Sequence, residues 1–213
     1  MDWLSIYKGG TGEIEEKKSR FIATVEPVSS EEEAVSFITS VKKKYWDARH
    51  NCSAFVIGEC GEKTRCSDDG EPSGTAGRPM LDVLVNGHIT NVCVVVTRYF
   101  GGTLLGTGGL IRAYTGAVKA GLANCEIIGK IHGFSVTITC DYNDFGKIKS
   151  MADRRGYNMT QVDYAQSVTA VLVTDDDGAL ADEITDITSG RAKVVDVTSV
   201  VYAVIDGKVH IME

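Results

Sequence analysis

The chain has 213 residues, with 22 Lys plus Arg against 29 Asp plus Glu, a formal charge of −7. At 43% hydrophobic and 24% charged residues it has the composition of a globular protein, which excludes an intrinsically disordered chain. So acidic a chain is not a generic coat for nucleic acid, and any RNA contact has to be a local patch.

In the first part of the chain, Thr11 to Glu16 and Phe21 to Val28 read as strands. Ser29-Ser30-Glu31-Glu32-Glu33 is a capped helix start, and Ala34, Phe37, Ile38, Val41 and Tyr45 make one apolar helical face. Cys52 to Gly58 is a strand, 59–79 a polar glycine-containing loop, and Pro79 to Val85 a short helix. Val92 to Tyr99 is rich in β-branched residues without alternation, the pattern of a strand covered on both faces. Leu110 to Leu122 is helical by pattern.

The second part has a clearer rhythm. Phe134, Val136 and Ile138 alternate with Ser135, Thr137 and Thr139 as a strand. Asp141 opens a helix bearing Phe145, Ile148, Met151 and Ala152, which Gly156 ends. Tyr157 to Ala165 and Val168 to Thr174 follow as strands. The acidic run Asp175 to Asp177 starts a second helix with Ala179, Leu180, Ile184 and Ile187 inward, Gly190 stops it, and Val194 to Ile205 is a last strand. This β-α-β-β-α-β order is the ferredoxin-like split unit. The charge is uneven as well: 15 basic and 16 acidic residues lie in 1–130, against 7 and 13 in 131–213. That step places a domain boundary near 128–132, dividing the chain into 1–130 and 131–213.

No run approaches the roughly 18 apolar residues of a membrane helix; runs such as Val92 to Val96 are far shorter, and Met1 to Ser5 does not open a signal peptide. Cys52, Cys60, Cys66, Cys93, Cys125 and Cys140 are irregularly spaced without a CxxC, and His50, His88, His132 and His210 are dispersed. Reduced thiols and a cytoplasmic location are expected, with no metal site and no cofactor. No membrane partner is expected, and the oligomeric state is not readable.

Three segments carry candidate chemistry. In Ser67 to Gly77, Asp68, Asp69 and Glu71 lie within four positions and precede glycines and Thr75; such carboxylates can bind Mg²⁺ or share a proton, or simply cap the next helix. The second segment, Arg98 to Arg112, runs from strand to helix through Gly101, Gly102, Gly106, Thr107, Gly108 and Gly109. Backbone N–H groups at such a helix start can surround an anion, and Arg98 and Arg112 can add bidentate phosphate contacts. It is neither a Walker loop nor a Rossmann fingerprint, because Thr107, Gly108 and Ile111 stand where those patterns need Lys, Ser or Thr, and Gly. The same glycines also suit close helix–sheet packing. The third segment, Tyr45 to Cys52, offers Arg49 and His50 as partners for the acidic loop, with Cys52 as a core thiol. Lys42-Lys43-Lys44 suits the negative end of a helix.

Together the segments KKSRFIA (17–23), ARHNC (48–52), SDDGEPSGTAGRPML (67–81) and VVTRYFGGTLLGTGGLIRAY (95–114) resemble the YigZ/IMPACT family, over roughly residues 1–125. The resemblance implies an α/β (α+β) fold. Its N-terminal domain would be like the second domain of a small-subunit ribosomal protein, and its ferredoxin-like C-terminal domain similar to the fifth domain of elongation factor G. Its eukaryotic relatives act in translational control by binding a ribosome-associated activator of a stress kinase. They use an additional N-terminal domain for that contact, so this partner does not carry over. The family's characteristic residues fall on Arg49, His50, Asp68, Asp69, Gly70, Glu71, Pro72, Gly74 to Gly77, Arg98 and the glycines from Gly101 to Gly109.

Three readings of function result. The first is a translation-associated binding protein that contacts RNA, the ribosome or a translation factor. The second is a protein-interaction module whose motifs are structural, with Asp68, Asp69 or Glu71 ion-paired to Arg49 or Arg98. The third is a Mg²⁺-dependent enzyme acting on a phosphorylated small molecule or nucleotide, with the glycine-rich turn on phosphate and the acidic loop on metal.

Overall fold

The computed structural model describes residues 3–212, so Met1 and Asp2 of the signal-peptide reading lie outside the described residues. It divides into two compact units, Met1–Gly129 and Lys130–Glu213. The first unit runs β1 (Leu4–Lys8), β2 (Gly10–Glu16), β3 (Ser19–Pro27), α1 (Glu31–Lys44), β4 (His50–Ile57), β5 (Lys63–Ser67), α2 (Gly77–Asn86), β6 (Ile89–Thr90), β7 (Val92–Tyr99), α3 (Gly106–Leu122) and β8 (Glu126–Gly129). Its main sheet has the order β2-β3-β7-β4-β5, every pair antiparallel. A smaller sheet pairs β1 with β6 in parallel and with β8 in antiparallel.

The lack of alternation in β7 has its cause in this layering. Val92, Val94 and Val96 pack among residues of α2 and α3, including Met80, Leu84, Tyr114 and Val118. Cys93 faces the other way, into a cluster with Ala34, Phe37 and Ile38 of α1. Helices therefore cover both faces of an antiparallel sheet. The α1 helix starts where Ser30 accepts from the Glu33 N–H at 3.2 Å, while the Glu33 carboxylate accepts from the Ser29 N–H at 2.7 Å.

The second unit runs β9 (Ile131–Cys140), α4 (Tyr142–Arg155), β10 (Asn158–Tyr164), β11 (Val168–Thr174), α5 (Asp177–Thr188), β12 (Lys193–Ile205) and β13 (Lys208–Ile211). Its sheet order, β10-β11-β9-β12-β13, is the split β-α-β-β-α-β arrangement with one added edge strand. Val136 and Ile138 bury against Ile148, Met151, Leu180 and Ile184. Asp141 caps α4 by accepting from the Asp144 N–H at 2.7 Å, and Gly156 closes it in the left-handed region at φ 77°. Asp144 is buried, and Arg191 binds both its oxygens at 2.8 Å, with Lys147 on one of them at 2.8 Å.

The two-domain α/β architecture expected from the sequence is the one observed, with three corrections. The stretch 59–79 is not all loop: Lys63–Ser67 pairs with β4 as an edge strand whose residues are all exposed, so no buried face marks it. The helix expected from Leu110 starts at Gly106, inside the glycine run, because glycine and threonine carry no apolar period. The short strands β1, β6, β8 and β13 were not anticipated.

Candidate functional site

The motif segments meet at one end of the main sheet. The start of β4 pairs with the end of β7, His50 opposite Arg98, and the start of β3 pairs with the same end, Arg20 opposite Tyr99. The acidic loop between β5 and α2 folds over this end, and the glycine-rich loop from β7 to α3 closes it.

Each carboxylate of the acidic loop has protein partners. Asp68 accepts from the N–H groups of Gly74, Ala76 and Gly77 at 2.8, 3.0 and 2.8 Å, which satisfies the orphan donors at the start of α2. Burial raises its pKa, but the three N–H bonds together outweigh this and hold it below the ordinary value. Asp69 accepts from Lys42 at 2.6 Å and from the Asn51 N–H at 2.7 Å, while its carbonyl accepts from His50 Nδ1 at 2.9 Å. That carbonyl fixes the proton on Nδ1. Glu71 is buried and accepts from Arg98 Nη1 at 2.6 Å and from the Tyr114 hydroxyl at 2.8 Å, both on Oε1. The Thr75 hydroxyl, also buried, donates to the Pro72 carbonyl at 2.6 Å.

Arg98 thus differs from the exposed phosphate ligand expected of it. Its side chain is only 8% exposed, lies between the Phe21 and Phe100 rings at 5.4 and 5.6 Å, and is ion-paired to Glu71. Its Nε is buried with no hydrogen-bond partner among the described residues. Arg112 is exposed on the first turns of α3, its Nη1 3.6 Å from where a Cβ on Gly108 would stand. Arg49 is exposed with no carboxylate partner among the described residues, and only His50 of the expected pair bonds the acidic loop. The Cys52 thiol lies 2.9 Å from the Asp68 carbonyl and 3.3 Å from the Tyr114 hydroxyl, and burial pushes its pKa up to about 12, which makes it an inert core thiol.

The glycines divide by role. A Cβ on Gly101 would come within 2.0 Å of the Lys18 carbonyl carbon, so the β7 exit passes directly against the β2–β3 turn. Gly106 takes φ 68° with open space around it. Gly102, Gly108 and Gly109 lie along the same loop and helix start, and Leu105, at the helix N-cap, supplies no side-chain cap to α3.

Between the two loops lies a cleft of about 450 Å³. Arg49, His50, Glu71 and Arg98 line it together with Phe100, Leu104, Leu105, Gly106, Thr107 and Leu110. Sequence reading missed Tyr114, Lys42 and Phe100 as members of this site. Tyr114 had a signal, because a tyrosine on an apolar helix face needs a partner for its hydroxyl. Among the described residues no group of His, Cys, Asp and Glu is placed to hold a metal ion, and no helix is long and apolar enough to cross a membrane.

Comparison with known proteins adds the following. The Impact N-terminal domain matches residues 17–122, and a domain of unknown function, DUF1949, matches residues 138–191. The IMPACT family member YvyE of Bacillus subtilis (strain 168) is 39% identical over 194 residues, 90% of this chain and 89% of that protein. The IMPACT family member YigZ of Escherichia coli (strain K12) is 39% identical over 150 residues, 70% of this chain and 74% of that protein. A crystal structure of a hypothetical protein is 32% identical, covers 91% of this chain and 97% of its own, and superposes with a TM-score of 0.58.

Proposed function

We propose, from the premise that the chain belongs to the IMPACT family, that it is a translation-associated regulatory protein that contacts RNA on the ribosome through the loop end of its first unit. One observation carries this reading: every carboxylate of the acidic loop is engaged by its own protein, which leaves cations as the groups presented outward. Asp68 caps α2, Asp69 holds Lys42 and the start of β4, and Glu71 neutralises Arg98. Both oxygens of Asp68 and of Asp69 accept hydrogen bonds from their own protein, and Glu71 Oε1 accepts two, so the loop acts as a scaffold. Arg49 and Arg112 remain exposed near the uncapped start of α3, and an RNA phosphate is complementary to both features.

The experiment is co-sedimentation with ribosomes at low and at moderate salt. The parent chain is expected to pellet with ribosomes at low salt, to be released as salt rises, and to be weakened by Arg49→Glu with Arg112→Glu. A chain that stays in the supernatant at both salts overturns the reading.

A second reading, a small phosphorylated ligand in the 450 Å³ cleft, is favoured by the buried Nε of Arg98, which has no hydrogen-bond partner among the described residues. It predicts a rise in Tm with phosphorylated metabolites. A flat screen, with and without Mg²⁺, removes it.

A further inference from the structure

The loop end of the sheet also presents cations and rings that the buried network leaves unused. The β2–β3 hairpin turns through Lys17 and Lys18, between the paired residues Glu16 and Ser19. Both lysines have positive φ, 47° and 66°. A two-residue hairpin turn with both centres in the left-handed region favours Asn-Gly or Gly-Gly, because a Cβ is crowded there. At this tip the crowded positions hold two ammonium groups exposed to solvent. Two strands across the sheet, about 10 Å at ordinary strand spacing, α1 ends in Lys43 and Lys44, and the chain passes through Trp46 and Arg49 into β4.

Lys17, Lys18, Lys43, Lys44 and Arg49 are exposed, and none has a carboxylate partner among the described residues. Their neighbours Arg20, Lys42 and Arg98 are all paired, to Glu13, Asp69 and Glu71. Glu16 and Asp47 lie among the free cations, and Asp47 accepts from the Tyr99 hydroxyl at 2.8 Å. Trp46, 82% exposed, stands in the turn between Lys44 and Arg49, and Phe100 is half exposed on the cleft rim. A large ring left in water among cations without carboxylate partners, Lys44 resting over the Tyr45 ring at 5.1 Å, is the composition of a stacking platform for bases whose phosphates pass over the lysines. A docking protein would need a broad apolar surface around the ring, whereas Trp46 is followed by Asp47 and preceded by Tyr45, whose ring carries the Lys44 ammonium at 5.1 Å.

We infer that this rim binds single-stranded RNA, with an unpaired base stacked on Trp46 and the flanking phosphates on Lys17, Lys18, Lys43, Lys44 and Arg49. The inference rests on the reading that the loop end contacts RNA, and it specifies the strand state and the stacking residue. A duplex keeps its base faces covered, so it can engage the cations but not the ring.

The test is anisotropy of a short labelled oligoribonucleotide with the intact chain, at low and physiological salt. Trp46→Ala is expected to weaken binding about 5- to 100-fold, Trp46→Phe to retain most of it, and the matching blunt duplex to compete poorly. The Lys17→Asn, Lys18→Gly variant separates structure from binding: it gives the turn the residues it favours, so Tm should rise while affinity falls several-fold. Unchanged affinity in Trp46→Ala or in the hairpin variant, or equal competition by the duplex, overturns the inference. Ribosome co-sedimentation distinguishes the two levels. A parent chain that pellets while Trp46→Ala binds RNA unchanged loses only the stacking platform. A chain that binds the single strand through Trp46 but never pellets loses only the ribosomal reading.

Discussion

Arg98 and Glu71 are 27 positions apart in the sequence and form a buried ion pair of 2.6 Å, with the Tyr114 hydroxyl on the same carboxylate oxygen. The two charges are taken out of water, with the Tyr114 hydroxyl on Glu71 and the Phe21 and Phe100 rings against Arg98, so removing one strands the other. Arg98→Met should therefore destabilise the first unit by about 3–5 kcal/mol. Adding Glu71→Gln should recover part of that loss, because the orphaned charge is then gone. Urea denaturation of the two single variants and the double closes the cycle, and additive losses would mean that the pair is not coupled. At this scale the sequence identified the participants and left open which acid of the loop pairs with Arg49 or Arg98. Arg98, Glu71, Asp68 and Asp69 all stand out by type and spacing. Only the meeting of β4, β7 and the acidic loop decides that Arg98 faces Glu71 and not an incoming phosphate. Tyr114 was missed because it occupies an apolar helical position, where a ring satisfies packing, and the hydroxyl that needs a partner was its one signal.

The second helix depends on a residue eight positions before its N-cap. Ala76 has no side chain to cap α2, and Asp68 reaches the N–H groups of Ala76 and Gly77. Asp68→Ala should cost about 1–2 kcal/mol, the range for loss of a cap, and a loss below a few tenths would show the loop to be dispensable for α2. The glycines of the next loop divide in an equally testable way. Gly101→Ala drives a Cβ into the Lys18 backbone and should cost about 1–3 kcal/mol. Gly108→Ala sits on the open face of α3, meets only the Arg112 side chain at 3.6 Å, and should stabilise by about 0.5–1 kcal/mol. Thermal melts of both variants decide the matter, and the same sign for both would refute the division. Elements with one buried face were legible, α1 and α4 with their caps and β9 with its alternation. The β5 edge was not, because all of its residues are exposed and no period is imposed on them. The small β6-β1-β8 sheet escaped because β6 is two residues long, too short to show a period.

Each unit closes its own core, so the chain has two things to unfold. The charge step along the sequence and the change in rhythm near Gly129 made this separation legible, while the edge strand β13 carries too short a pattern to read. Both tryptophans, Trp3 and Trp46, lie in the first unit, so their fluorescence reports that unit alone, whereas far-UV circular dichroism reports both. The two probes should give non-coincident urea curves. Asp144→Asn removes the carboxylate that Arg191 and Lys147 grip in the second unit, and should move the dichroism curve while leaving the fluorescence midpoint in place. Acid should act on both units through the same linkage. Hydrogen bonds from Arg191 and Lys147 hold Asp144 below the ordinary carboxylate value, and the three backbone N–H groups do the same for Asp68 against the opposing effect of burial. A group whose folded pKa is depressed stabilises the fold above its unfolded value, about 3.9 for Asp, and that contribution drains away as pH falls through the folded value. Stability should therefore be flat above about pH 5 and decline below about pH 4 in both probes. In Asp144→Asn the decline of the second unit should be shallower than in the parent chain, while the decline reported by tryptophan keeps its slope. Coincident urea curves, or a fluorescence midpoint that moves with Asp144→Asn, would show the two units to unfold as one.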